Sequence, residues 1–201
     1  MTTTFTNQAA IMTQNYDTAN ALLTLSQGGL ILFPTDTTWS IGCDALNPQA
    51  LTKLLQLHQQ KNTSPIELLV NSIGMIKSYV AHLHPRVETL LVFHTRPLTL
   101  LLEHARRLPA EALHPDGSVA IRLTQDEFAR LLVGQFGQPI ATTPACVEGQ
   151  PYPTHFGAIS STILQGVDHV SKFRQHDKNQ GELSVMVKLS DGDEELVFLR
   201  E

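Results

Sequence analysis

The chain has 201 residues, with 42% hydrophobic and 16% charged residues, a net charge of −5 and a pI near 6.0. That composition excludes a disordered chain and a generally basic nucleic-acid binder, and the length favours one large core. Cys43 and Cys146 are the two cysteines, too few for a disulfide framework, so a reducing cytoplasm is expected.

No positive start followed by an apolar core marks residues 1–13 as a leader. No apolar run approaches the roughly 20 residues of a membrane span. Residues 1–14 read as an N-terminal extension, 15–190 as the domain, and 191–201 as a final strand or tail of it.

In chain order, Asn15 to Gln27 is expected to be a helix, stopped by Gly28-Gly29. Leu30 to Phe33 is a short β-type run between Gly29 and Pro34. Asn47-Pro48 opens a second helix, with a capping side chain before a first-turn proline. Ile66 to Val70 reads as a strand. Asn71 or Ser72 caps a helix through Val80, and Arg86 to Phe93 is helical. Leu98 to Leu102 and Val119 to Leu123 are strand-like, the second carrying Arg122 among apolar residues.

Asp126 to Phe136 is an amphipathic helix stopped by Gly137. Pro139 to Thr142 is another strand. Thr154 to Leu164 is expected to be one helix capped by Thr154. Val167 to Val170, Ser184 to Leu189 and Leu196 to Leu199 complete the strands. Alternating strands and helices predict an α/β fold, and adjacent strands without helices between them predict a mixed sheet.

The loop Pro34-Thr35-Asp36-Thr37-Thr38 leaves a strand end, where α/β sheets tend to bind ligands. Its hydroxyls and backbone amides suit a carboxylate or phosphate, and they equally suit a capped turn. Arg122 suits an anionic ligand through its planar fork, or a buried ion pair. Two basic groups, Arg96, Arg106 and Arg107, then Lys172, Arg174 and Lys178, fit local patches or a solvated surface. His82-x-His84 has no HExxH or Cys cluster beside it, so no metal site is expected.

The stretch "GGLILFPTDTTWSIGCDALN" resembles the signature of the YrdC-like family, the threonylcarbamoyl-adenylate synthases. "RPLTLLLE", "GSVAIRL", "PIATTPACVEGQPYPT" and "GELSVMVKL" resemble further family segments in the same order, together spanning about residues 15–190. The resemblance implies a twisted mixed sheet flanked by helices around a concave, positively charged cavity. It also implies joining of L-threonine, bicarbonate and ATP into threonylcarbamoyl-adenylate, the first step of a tRNA modification. ATP with Mg²⁺, AMP, structured or double-stranded RNA, and tRNA-modification proteins are the implied ligands and partners.

By that resemblance Thr35, Asp36, Thr37, Arg122, Thr143 and Ser184 form a threonine side. His58, Gln60, Lys61, Thr99, Thr142 and Cys146 are the nucleotide-side candidates. The departures fall on that second side. His58 and Gln60 align with the family's Lys-x-Arg pair, unless a shift of register brings in Lys61. Pro144-Ala145-Cys146 stands for its Ser-Ala-Asn, Trp39-Ser40 for Tyr-Gly, and Ser184-Val185 for Ser-Thr. The implied activity is a weakened or altered synthase. The alternative is a non-catalytic nucleotide- or double-stranded-RNA-binding module of the same fold. A Cys146–His58 nucleophile is a third, narrower reading.

Overall fold

The structure is a computed structural model that describes residues 18–59, 66–178, 181, 183–190 and 195–200. Helix α1 occupies residues 18–26. It is followed by β1 Ile31–Pro34, β2 Trp39–Asp44, α2 Pro48–His58, β3 Glu67–Val70, α3 Ile73–Tyr79 and α4 Pro85–Phe93. Then come β4 Leu98–Leu102, β5 Val119–Leu123, α5 Glu127–Phe136, β6 Ile140–Pro144, α6 Ser161–Gly166, β7 His169–Val170, β8 Val185–Leu189 and β9 Leu196–Arg200.

Among the described residues, nine strands form one sheet in the order β7-β1-β2-β6-β3-β5-β4-β8-β9. Pairings β1/β7, β3/β5 and β4/β8 are parallel, and the others antiparallel, so the expected mixed sheet is present. Both faces are covered. Ile31, Phe33, Leu69 and Ile140 pack with Ala21 and Leu25 of α1 and Phe128, Leu132 and Val133 of α5. The alternate residues Leu32, Leu68, Ile121 and Leu100 face a larger core that contains Leu51 and Leu54 of α2. Burial on both faces explains why these strands read as near-continuous apolar runs.

Local signals set most helix ends. The Asn47 side chain accepts from the Gln49 and Ala50 amides, with Pro48 at the first helical position. Asp126 caps α5 through the Ala129 amide, and Gly137, at φ 79°, ends it in the left-handed region. The expected helix over Thr154 to Leu164 is not formed as one piece. A single 3₁₀ turn spans Phe156–Ala158, His155 and Ile159 are extended, and α6 begins only at Ser161. Gly157 weakens a continuous helix, and Ser160, not Thr154, supplies the hydroxyl that accepts from the Ile163 amide.

Strand β2 has no counterpart in the expected elements. Its sequence, WSIGCD, mixes small and polar residues, yet five of its six residues are buried. A Cβ at Gly42 would lie 2.7 Å from Phe33 Cε1 and 2.9 Å from Ile140 Cγ2, so close packing at that position requires glycine. Among the described residues, no helix is long and apolar enough to cross a membrane.

Candidate functional site

Strand alternation places Ser40, Thr142, Glu67, Arg122 and Thr99 on the sheet face that also carries Phe33, Leu69 and Ile140. Helices α1 and α5 cover the apolar part of that face. The polar part opens into a cavity of about 110 Å³. Thr37 and Thr38 enter it from the first loop, Arg122 and Glu67 from the sheet floor, and Thr143 and Cys146 from the end of β6. Ser184, just before β8, and Arg200, at the end of β9, also reach it, and His58 enters from the end of α2. A broader groove of about 650 Å³ shares Cys146 and Tyr152 with it.

Two carboxylates hold Arg122, which is 1% exposed. Its Nε donates to Glu67 Oε2 at 3.0 Å, and its Nη1 donates to Asp36 Oδ1. Burial pulls the Arg122 guanidinium down, but Glu67 and Asp36 outweigh it and leave the group raised. Burial likewise pushes the Glu67 carboxyl up, but Arg122, Thr99 and Arg200 outweigh it and hold it below the ordinary range. The Thr99 hydroxyl donates to Glu67 Oε1 at 2.9 Å and lies 2.7 Å from Ser184 Oγ. Arg200 donates to Ser184 O at 2.8 Å and to Ser184 Oγ at 2.6 Å, with Nη2 3.5 Å from Glu67 Oε1.

The sequence model of the Sua5/YciO/YrdC family, described as "Telomere recombination", matches residues 23–201. The chain belongs to this family. A Xanthomonas euvesicatoria pv. vesicatoria threonylcarbamoyl-AMP synthase is 26% identical over 162 residues, 79% of this chain and 87% of that protein. A Hydrogenovibrio crunogenus threonylcarbamoyl-AMP synthase is 30% identical over 131 residues, 63% of this chain and 70% of that one. Among solved structures, P. abyssi Sua5 complexed with L-threonine has a TM-score of 0.77 at 21% identity. That match covers 91% of this chain and 53% of the P. abyssi protein, so the chain spans about half its length. E. coli YciO has the same TM-score, 0.77, at 18% identity, covering 94% of this chain and 89% of that one.

Within this family member the first loop divides its labour. Thr35 does not line the cavity. Its hydroxyl donates to Thr38 O at 2.8 Å and accepts from the Thr37 amide at 3.2 Å, which closes the turn. Asp36 is spent on Arg122 and on the Gln125 amide, 3.0 Å from Oδ2. Thr37 and Thr38 are the loop residues that face the cavity. Thr143 lines it with its Oγ1 buried and, among the described residues, without a hydrogen-bond partner. Thr142 also lines it, and its hydroxyl donates to Glu67 O at 3.1 Å.

On the other wall, His58 Nδ1 donates to the Cys146 carbonyl. Burial chiefly depresses the His58 imidazole, so it is neutral at pH 7 and adds no cation. Burial pushes the Cys146 thiol up. The Cys146–His58 nucleophile is therefore corrected: the imidazole engages a backbone oxygen, and the thiol is the protonated, unreactive form. Gln60 and Lys61 lie outside the described residues.

Glu67 and Arg200 escaped the sequence reading. Glu67 had a signal of the same kind as Arg122, a lone charge in an apolar strand. Arg200 ends the strand that the apolar run Leu196 to Leu199 announced, and nothing in that run marks its side chain.

Proposed function

We propose that the cavity binds L-threonine and that the chain carries out threonylcarbamoyl-AMP formation from threonine, bicarbonate and ATP in a weakened form. The observation that carries this reading is Thr143. Among the described residues this buried hydroxyl has no partner, a state that costs about 1–3 kcal/mol, and a rotamer change toward the cavity that Thr143 lines would let a polar ligand recover it. Thr37 and Ser184 stand in the same cavity, and a relative bearing the synthase name matches most of the chain. Weakening follows from charge. Arg122 already has two carboxylate partners, and a neutral His58 stands at the α2 end. Loss of preorganised cations around a transferring phosphoryl group commonly costs several kcal/mol of barrier.

Magnesium would enter with the nucleotide. Glu67 and Glu148 are the carboxylates lining the cavity, and Glu67 is committed to arginines. Among the described residues no group of three or more His, Cys, Asp or Glu could hold a metal ion, so a magnesium here would be held chiefly by the nucleotide's phosphates.

The same charge pattern supports a second reading, a non-catalytic module that binds nucleotide or structured RNA and acts beside tRNA-modification proteins in the cytoplasm. Pyrophosphate release discriminates. The synthase reading expects release that requires both threonine and ATP, slower by about 10²-fold or more than at a site with free cations. Release without threonine, or none together with no calorimetric heat on adding threonine, would sink it. RNA bound at the cavity should weaken steeply between low and physiological salt, and salt-insensitive binding would remove that module.

A further inference from the structure

We propose that Glu67 is a built-in counter-anion that selects the ligand's charge: by holding Arg122 and Arg200 it makes the cavity favour a net-neutral ligand, such as an amino-acid zwitterion, over a polyphosphate. This rests on the preceding reading for the identity of the cavity and goes beyond it in assigning a specificity residue.

A buried guanidinium needs a countercharge, and Asp36 already gives Arg122 one. Glu67 adds a second, with its Oε2 on the Arg122 Nε. Its Oε1 takes the Thr99 hydroxyl at 2.9 Å and lies 3.4 Å from Ser184 Oγ and 3.5 Å from Arg200 Nη2. Three of these contacts crowd Oε1 and the Arg122 Nε sits on Oε2, so the carboxylate's charge is engaged chiefly by the arginines and by Thr99. Its effect on a ligand is through the arginines. Among the described residues the cavity holds Arg122 and Arg200 against Glu67, Glu148 and, behind Arg122, Asp36, which leaves it one charge negative. A polyphosphate entering must displace Glu67 from both arginines or sit beside it uncompensated. A zwitterion brings its own two charges and needs neither.

The probe is inorganic pyrophosphate, titrated by calorimetry into the full chain, with L-threonine titrated in parallel. Wild type is expected to bind pyrophosphate with a Kd above about 1 mM. Glu67→Gln keeps the shape and one acceptor oxygen and removes the charge. It should bind pyrophosphate at least about tenfold more tightly, with an affinity that falls as salt rises. Adding Arg200→Gln, a half-exposed position, should cancel most of that gain. Equal affinity in wild type and Glu67→Gln overturns the proposal, as does a gain that Arg200→Gln leaves intact. Should Glu67→Gln fail to fold, as read by its thermal melt, wild type alone decides: a micromolar pyrophosphate Kd refutes the counter-anion, and a Kd above about 1 mM supports it. Threonine separates the two readings. A pyrophosphate gain without any threonine binding overturns the threonine pocket and leaves the counter-anion standing.

Discussion

At the residue scale, the site shows how position decides the work of a side chain. Thr35 and Thr143 are both buried threonines on the cavity's surroundings, 2% and 3% exposed. Thr35 spends its hydroxyl on its own turn, and Thr143 keeps its hydroxyl unspent. The two therefore respond differently to loss of that oxygen. Thr143→Val should leave stability unchanged or raise it by up to about 1 kcal/mol, because no hydrogen bond is broken. It should also weaken L-threonine binding at least about tenfold, read by calorimetry. A fall in stability without a fall in affinity would mean that Thr143 is a packing residue. Thr35 and Thr143 were both visible in sequence as polar residues in loop or strand-end positions. Their division of labour was not, because it depends on which backbone groups each hydroxyl meets.

At the element scale, caps and stops make α2 and α5 legible in the sequence. Asn47, Pro48, Asp126 and Gly137 each act within a few residues of their own position. Strand β2 stayed hidden because its pattern is set by neighbours distant in sequence. Gly42 lies against Phe33 of β1 and Ile140 of β6, and small residues there signal crowding rather than a loop. Gly42→Ala should cost about 1–3 kcal/mol through overpacking, seen as a melting temperature lower by a few degrees. An unchanged melting temperature would show that Phe33 can yield. The split of Thr154 to Leu164 has the same origin: the local hydroxyl of Ser160 wins the cap, and the segment before it follows the tertiary chain path.

At the scale of the whole molecule, a nine-stranded mixed sheet covered on both faces carries a polar quarter where the helical cover stops, and there the chain buries charge. That arrangement predicts a pH response. The folded imidazole of His58 is depressed below its ordinary value of 6.5, so the unfolded chain binds more protons in that window. Its contribution to stability is complete above 6.5 and is lost as pH falls through the lower folded value. Urea midpoints should therefore decline as pH drops below about 6.5, and His58→Gln should flatten that limb. A flat wild-type profile between neutral pH and about 5 would refute the buried neutral His58. Further down, Glu67, depressed, continues the loss, and Asp44, which burial raises, opposes it.

The sequence by itself determined the α/β class, most strands, the capped helices and the family, because each of these rests on short-range periodicity, capping chemistry and ordered motifs. Only the tertiary structure decided the state of the site. Asp36, Glu67 and Arg122 come from positions far apart in the chain, and their ion pairs exist only once β1, β3 and β5 are brought into one sheet. Whether Arg122 is a free cation or a neutralised one is a long-range electrostatic fact, set by what the fold places within about 4 Å of it.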